Sequence, residues 1–240
     1  MLPGVRFVPV NDPKALLAAV SRSTAAIIAE PIQGEGGVRP LTPAFASAIT
    51  EAAGNTGALI IADEVQRGLG RTGYPFYAPV LGLHPDLISI GKALGGGVAV
   101  GAALVSQKVA DTITFGDHGS TYGGNLLACR AALCFLDELD TGGLLGRIAR
   151  VGDHLERGLR TMAAKYHLIN DVRGAGLIWG LELTRDAAPV IEAGLAKGVI
   201  VNRTAETVVR LLPPLVITEP EIDEALGRLD AAFGAAGAEA

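Results

Sequence analysis

The sequence predicts an α/β protein, with a mostly parallel sheet in a large domain and a smaller α+β domain after it. Over the first 140 residues, short apolar runs of strand length alternate with helical segments, a pattern typical of a parallel sheet covered on both faces. The pattern changes near Thr141–Gly143, where a long amphipathic stretch begins. We therefore expect residues 1–140 to belong to the large domain and residues 141–240 to form the small carboxyl-terminal domain.

In the first part, two helix starts are marked by a capping residue followed by proline. Asp12–Pro13 predicts a helix through Val20, and Thr42–Pro43 predicts a helix to about Ala53. Apolar runs with few polar residues are typical of buried parallel strands. Four such runs predict strands: Ala25–Ala29, Ala58–Ala62, Leu87–Ile90 and Val100–Val105.

In the second part, the residues from Leu144 to Lys165 have the apolar periodicity of a long amphipathic helix. Shorter elements follow it and predict a mixed α+β arrangement. They are strands at Leu168–Arg173 and Leu177–Leu183 joined by Gly174–Gly176, a helix at Ala187–Lys197, strands at Val199–Asn202 and Val208–Leu212, and a helix from about Pro220.

The composition argues against a nucleic-acid partner and against a membrane. The 240 residues include 20 Lys and Arg against 25 Asp and Glu, so the net charge is −5, whereas nucleic-acid-binding modules carry a basic stripe. The most apolar run, 93–105, is interrupted by glycines and is shorter than the roughly 18 residues of a membrane helix. Two cysteines and no charged leader lead us to expect a cytoplasmic protein.

Three polar residues directly follow predicted strands: Glu30, Asp63 and Lys92. The carboxyl ends of parallel strands form the edge at which α/β proteins bind ligands. An amine at this apolar edge is partly desolvated, which favours its neutral, nucleophilic form. The three glycines after Leu94 let the backbone pass close to a ligand. The same spacing is typical of a surface lysine, so both interpretations stay open here.

Asp63 ends the apolar run ALIIAD and needs a cationic partner if it is buried. It could cap the turn that follows, or it could pair with the protonated nitrogen of a pyridine ring. An aspartate in that position and a lysine that forms an imine with an aldehyde are the protein's part in pyridoxal phosphate chemistry. Asp63 and Lys92 together suggest this cofactor, although neither residue decides alone.

Five motifs strengthen this hypothesis: AEPIQGEGGV (29–38), LIIADEVQRGLGRTG (59–73), PDLISIGKALGGG (85–97), HGSTYGGN (118–125) and VVRLLPPLVIT (208–218). In this order they resemble the class III pyridoxal-phosphate aminotransferases, best the acetylornithine and ornithine enzymes. The resemblance implies the type I aminotransferase fold, an obligate dimer and pyridoxal 5'-phosphate as cofactor. It also implies transfer of an amino group from N-acetylornithine, or ornithine, to 2-oxoglutarate in arginine biosynthesis.

The resemblance also implies roles for individual residues. Lys92 would form the internal imine and then shuttle the proton between substrate and cofactor carbons. Asp63 would pair with the pyridinium nitrogen, and Gln66 would hydrogen-bond the cofactor's phenolic oxygen. Ser120 and Thr121 would hold the phosphate of the neighbouring subunit's cofactor. No histidine or cysteine spacing in the sequence indicates a metal site.

Glu35 and Arg210 match a glutamate and an arginine that form a switch in ornithine-type enzymes. The resemblance implies that Glu35 masks Arg210 while the amino donor is bound. Arg210 would then be freed to bind a carboxylate of 2-oxoglutarate through its two-pronged guanidinium. A structural ion pair is the alternative, and the sequence alone leaves open whether the two side chains touch.

Family members carry a further amino-terminal stretch that this sequence does not match. That stretch holds a phosphate-binding turn, an aromatic ring that stacks on the pyridine and an arginine for the substrate. We therefore expect a truncated chain that is poorly stable or inactive alone. Apolar strand residues should then lack some packing partners, namely Ile27, Ile28, Ile60 and Ile61.

Other hypotheses remain. The 4-aminobutyrate, succinyldiaminopimelate and glutamate-semialdehyde aminotransferases share these motifs. A non-catalytic fragment or a subunit of a split enzyme is a different possibility, although retention of Asp63 and Lys92 argues against it. A nucleotide-binding domain is the weakest hypothesis, because Ala93 follows the lysine where a phosphate-binding loop needs Ser or Thr.

The remaining polar residues are predicted to have structural or surface roles. Cys129 and Cys134 lie five positions apart in a helical stretch and are interpreted as small core residues. Arg39, Arg67 and Arg71 are interpreted as surface or loop charges, although any of them could border the substrate mouth.

Overall fold

The computed structural model describes residues 3–237, which divide into two compact units. The first unit contains residues 3–31, 41–69 and 76–137. The second unit contains residues 138–237 together with two short segments, 32–40 and 70–75. The assignment of residues 1–140 to a large domain and 141–240 to a small one stays a prediction.

Seven α-helices and ten strands lie within the described residues. The helices are α1 (Pro13–Ala19), α2 (Pro43–Thr56), α3 (Gln107–Ala110), α4 (Leu126–Asp140), α5 (Leu144–Lys165), α6 (Ala188–Ala196) and α7 (Glu219–Ala235). The strands are β1 (Ala26–Ala29), β2 (Ile32–Gln33), β3 (Arg39–Pro40), β4 (Leu59–Asp63), β5 (Leu87–Ile90), β6 (Ala102–Val105), β7 (Ile169–Ala175), β8 (Ile178–Leu183), β9 (Asn202–Thr204) and β10 (Val208–Leu211).

The first unit is built on a four-stranded sheet in the order β1-β4-β5-β6. The β1–β4 and β4–β5 pairs are parallel, whereas β6 pairs with β5 in antiparallel fashion. Two of the three strand pairs are parallel, and α2 connects β1 to β4, which confirms the predicted α/β class with a mostly parallel sheet. The carboxyl ends of β4 and β5 therefore lie at the same edge of the sheet, called the carboxyl edge below.

One face of this sheet packs on α2. Ile27 and Ile60 are buried there against Phe45 and Ile49, so the prediction that these two isoleucines lack partners is wrong. Ile28 points to the other face and is 67% exposed, as predicted. Every residue of β6 is also exposed, so the expectation that β6 is buried is wrong as well. An apolar run indicates strand propensity, but the burial of the strand depends on what packs against it.

The helix starts follow the local signals in the sequence. Asp12 Oδ1 accepts a hydrogen bond from the Ala15 amide at 3.0 Å, and Thr42 Oγ1 accepts one from the Phe45 amide at 3.2 Å. Thr218 caps α7 in a reciprocal capping box with Glu221. Side-chain acceptors of this kind satisfy amides that the first helical turn leaves unpaired.

The second unit contains an antiparallel sheet in the order β7-β8-β10-β9, and β2 and β3 form a separate hairpin. Helices α5 and α7 supply apolar residues to its core, among them Leu159 and Phe233, which pack in one cluster with Trp179 and Leu181. Trp179 therefore packs in the core of the second unit. Because the strands are antiparallel, residues directly opposite one another lie on the same face.

The apolar side chains of α4 lie largely at the surface. Leu126 is 87% exposed and Leu127 is 69% exposed. Cys129 and Cys134 are exposed too, so their prediction as core residues is wrong. The helical stretch is present as predicted, but most of the helix surface does not pack into a core. Within the described residues, no helix is both long and apolar enough to cross a membrane.

Candidate active site

Asp63 and Lys92 lie at the same edge of the first unit's sheet. Asp63 is the last residue of β4 and pairs in register with Ser89 of β5. Strand β5 ends at Ile90, and Lys92 follows after Gly91. Because β4 and β5 are parallel, both side chains are carried by the carboxyl edge, where ligands bind in sheets of this type.

Lys92 adopts a backbone conformation that is rare for a residue with a side chain. Its φ angle is +46°, and it begins a short 3-10 helix, Lys92–Gly95, with its side chain exposed. Gly96 and Gly97 follow with φ angles of +55° and +113°. Non-glycine residues with a left-handed backbone conformation cluster at functional sites, where the surrounding fold holds them in place. The exposed amine of Lys92 therefore lies next to a glycine-rich turn at residues 95–97.

The turn after β4 carries the other polar groups of this edge. Asp63 is half-buried, and its Oδ1 accepts a hydrogen bond from the Val65 amide at 3.1 Å. The Gln66 Oε1 is buried and has no hydrogen-bond partner among the described residues. A buried amide oxygen without a partner costs about 1–3 kcal/mol. A ligand that donates a hydrogen bond to Gln66 Oε1 would remove that cost, so the turn after β4 fits a polar ligand at this edge.

Glu64 is a buried carboxyl that the sequence reasoning missed. Its side chain is 0% exposed, and its Oε1 accepts hydrogen bonds from the amides of Tyr77 at 2.6 Å and Ala78 at 2.7 Å. Burial, together with a smaller contribution from the neighbouring Asp63, raises the pKa of Glu64 to about 7, although the two backbone hydrogen bonds lower it. Glu64 therefore ties the turn that carries Gln66 to the segment at residues 77–78.

Arg67 and Arg71 lie in turns, as predicted for loop charges, but neither is an exposed surface charge. Arg67 is 2% exposed and forms an ion pair with Glu30. Arg71, in the second unit, donates hydrogen bonds to the carbonyls of Leu177 and Pro213, and burial lowers its pKa to about 10. Each arginine adjoins one glycine in the sequence, Gly68 or Gly70, and a glycine-rich turn does not by itself show whether its arginine is exposed or buried.

Ser120 and Thr121 lie in the connection between α3 and α4, and both are exposed. Ser120 Oγ accepts a hydrogen bond from the Gly123 amide at 2.9 Å. The turn therefore offers two hydroxyls on its surface. Their role toward a phosphate stays a prediction.

In the second unit, Glu35 and Arg210 are in direct contact. Arg210 Nη1 lies 2.6 Å from Glu35 Oε1. The Arg210 side chain is 10% exposed and the Glu35 side chain is 77% exposed. The Arg210 Nε is buried without a hydrogen-bond partner among the described residues. A mostly buried guanidinium covered by an exposed carboxylate could exchange that carboxylate for one on a ligand.

The sequence matches a known protein family. Residues 8–233 match the aminotransferase class-III family. The chain belongs to this family. It is 39% identical over 231 residues to an acetylornithine aminotransferase of Methanocaldococcus jannaschii, covering 96% of this chain and 58% of that protein. It is 43% identical over 233 residues to one from Vibrio parahaemolyticus, covering 95% of this chain and 58% of that protein.

Solved aminotransferase structures have the same fold. An ornithine aminotransferase from Toxoplasma gondii, described with partial occupancy of PLP at its active site, matches with a TM-score of 0.91 and 35% identity over 98% of this chain and 57% of that chain. An N-acetylornithine aminotransferase from Stenotrophomonas maltophilia matches with a TM-score of 0.86 and 34% identity, over 96% of this chain and 62% of that one. These matches confirm the predicted family and the aminotransferase fold. The chain spans about 58% of the length of the curated relatives that it matches.

Proposed function

We propose that this chain carries the lysine and aspartate of a pyridoxal-phosphate-dependent aminotransferase site. The reaction proposed is transfer of the terminal amino group of N-acetylornithine or ornithine to 2-oxoglutarate, as in arginine biosynthesis. The observation that carries this proposal is the position of Asp63 and Lys92 at one carboxyl edge of two neighbouring parallel strands. We also propose that the enzyme acts as a cytoplasmic homodimer.

Pyridoxal phosphate, when bound, supplies an aldehyde that condenses with amines and a pyridine ring that withdraws electrons. Lys92 would provide the amine that holds the cofactor, and its Nζ would take up and return a proton during amino transfer. The carboxylate of Asp63 would keep a proton on the ring nitrogen. Gln66 would hydrogen-bond the cofactor's phenolic oxygen, and Ser120 and Thr121 would bind the phosphate of the neighbouring subunit's cofactor.

The Glu35–Arg210 pair supports a dicarboxylate as one of the two substrates. In this proposal, Glu35 neutralises Arg210 while a donor with a single carboxylate is bound. A carboxylate of 2-oxoglutarate then displaces Glu35 and binds the guanidinium in a two-pronged contact. An exposed glutamate can move away at low cost, whereas the mostly buried Arg210 stays in place within β10.

The first prediction concerns covalent attachment of the cofactor. The purified chain is mixed with pyridoxal phosphate, reduced with borohydride and digested for mass spectrometry. We expect the label on Lys92, and we expect Lys92→Arg to remove it. The exposed lysine variant Lys108→Arg is the matched control and should be labelled like the native protein. Equal labelling of Lys14, Lys108, Lys165 and Lys197, or no label at all, would contradict the proposal for this chain.

The second prediction concerns Arg210 and uses glutarate as a probe, because it has the two carboxylates of 2-oxoglutarate without the keto group. Calorimetric titration of Arg210→Lys should show glutarate binding weakened by about tenfold, roughly 1.4 kcal/mol, since a lysine cannot make the two-pronged contact. Glu35→Gln should bind glutarate several-fold more tightly than the native protein. Arg160→Lys, in an exposed ion pair with Glu156, is the control. Native affinity in both the Arg210 and Glu35 variants would refute the carboxylate role.

A further inference from the structure

Two arginines flank a glycine in the sheet of the second unit. Arg173 of β7 pairs in register with Gly180 of β8, and Gly180 pairs in register with Arg210 of β10. The three residues therefore form one row across three antiparallel strands, on one face of the sheet. The space above Gly180 is taken by Val38, since a Cβ added to Gly180 would lie 2.9 Å from the Val38 Cβ. The loop at residues 34–38 thus crosses the sheet between the two arginines.

Arg173 holds this loop by its main chain. The Arg173 Nε donates to the Gly37 carbonyl at 2.9 Å and to the Val38 carbonyl at 3.0 Å, and its Nη2 donates to the Gly37 carbonyl at 2.7 Å. Arg173 is itself fixed by an ion pair with Glu182 and by a 3.2 Å contact with Asp171. Hydrogen bonds from a charged group are stronger than those between neutral groups, so Arg173 holds the main chain of Gly37 and Val38 firmly in place.

The loop at residues 34–38 needs these contacts because its backbone is strained at Val38. Gly37 has a φ angle of +97°, which glycine adopts readily, but Val38 has a φ angle of +50°. A β-branched residue with a positive φ is an outlier that persists only where its surroundings impose it. The Thr204 hydroxyl also donates to the Glu35 carbonyl, which adds a second anchor at the other end of the loop. These contacts hold the main chain from which the Glu35 side chain extends.

We propose that Arg173 is a positioning residue: by holding the carbonyls of Gly37 and Val38, it places the Glu35 carboxylate on Arg210. Arg173 therefore sets how tightly Arg210 is masked, and so how readily a dicarboxylate gains access to it. This inference rests on the proposed function, in which Arg210 binds a substrate carboxylate. Arg173 acts through Glu35 and does not itself touch the substrate.

Two variants of this chain test the proposal independently. Arg173→Lys keeps the charge, but one ammonium cannot replace the planar fork that contacts the carbonyls of Gly37 and Val38 together with two carboxylates. Gly180→Ala places a methyl group against Val38. Each should tighten glutarate binding by about threefold to tenfold, because Glu35 then masks Arg210 less well. Amide hydrogen exchange of residues 35–38 should be faster in both. The control Arg160→Lys should change neither quantity, and melting curves identify any variant that does not fold.

A double-variant cycle distinguishes positioning from an unrelated effect. In a Glu35→Gln background, Arg173→Lys should change glutarate affinity by less than about twofold, because there is no carboxylate left to position. The same change in both backgrounds, or native affinity and exchange in both single variants, would overturn the role of Arg173. Failure of the proposed function looks different: Glu35→Gln and Arg210→Lys would then both bind glutarate like the native protein.

Discussion

Glu64→Gln will remove a loss of stability that the native protein undergoes as the pH rises from 4.5 to 7. In the folded protein, burial raises the pKa of Glu64 from 4.5 to about 7. The folded state therefore holds the Glu64 proton over a pH range in which the unfolded chain has released it. The resulting stabilisation is fully present below pH 4.5 and is lost as the pH rises to about 7.

The expected size follows from the difference between the two pKa values. Each pKa unit corresponds to about 1.4 kcal/mol, so the loss across the window is about 3 kcal/mol. A glutamine should avoid it, because its carbonyl oxygen can accept the hydrogen bonds from Tyr77 and Ala78 that Glu64 Oε1 now accepts. Above pH 7, Glu64→Gln should therefore be more stable than the native protein, and below pH 4.5 the two should be alike.

Urea unfolding followed by circular dichroism, repeated across this pH range, measures the effect. Glu51→Gln, at an exposed position of α2, is the matched control and should reproduce the native profile. Glu182, Asp186, Glu221 and Asp230 have lowered pKa values, so their contribution is lost at lower pH, outside the window. A native profile with no decline between pH 4.5 and 7 would show that Glu64 is not protonated in the folded state.

The features of the fold that the sequence predicts well are those encoded locally. Helix α5 is found at Leu144–Lys165 because its apolar periodicity runs through the whole segment. Helices α1 and α2 begin at Pro13 and Pro43, directly after the capping residues that predict them. The exposure of β6 and of Cys129 was not predictable in this way, because burial depends on distant parts of the chain.

The same distinction applies to the candidate site. Asp63 and Lys92 stand out in the sequence because each is the first polar side chain after an apolar run. Glu64 and Arg173 do not, because the groups that give them their importance lie far away along the chain. Glu64 binds amides 13 and 14 positions away, and Arg173 binds carbonyls 135 and 136 positions away. Only the folded structure brings these partners together.

Gly174→Ala will destabilise the second unit by about 3–5 kcal/mol, since it combines overpacking with backbone strain. A Cβ at Gly174 would lie 2.1 Å from the Ile178 carbonyl oxygen and 2.8 Å from the Trp179 Cα. Both are backbone atoms of β8, which cannot move without opening the β7–β8 pairing. The Gly174 φ angle is +153°, a conformation that an alanine rarely adopts.

The measurement is urea unfolding followed by the fluorescence of Trp179, the one tryptophan in the chain, which pairs in register with Gly174. Gly227→Ala is the matched control: Gly227 lies within α7 with open space around it. That variant should gain up to about 1 kcal/mol, because alanine favours the helix. A native urea midpoint for Gly174→Ala would contradict the close approach of the two strands. Arg173 and Gly180 form the pair next to Gly174 and Trp179. The close approach of β7 and β8 at Gly174 therefore also keeps Arg173, Gly180 and Arg210 in register.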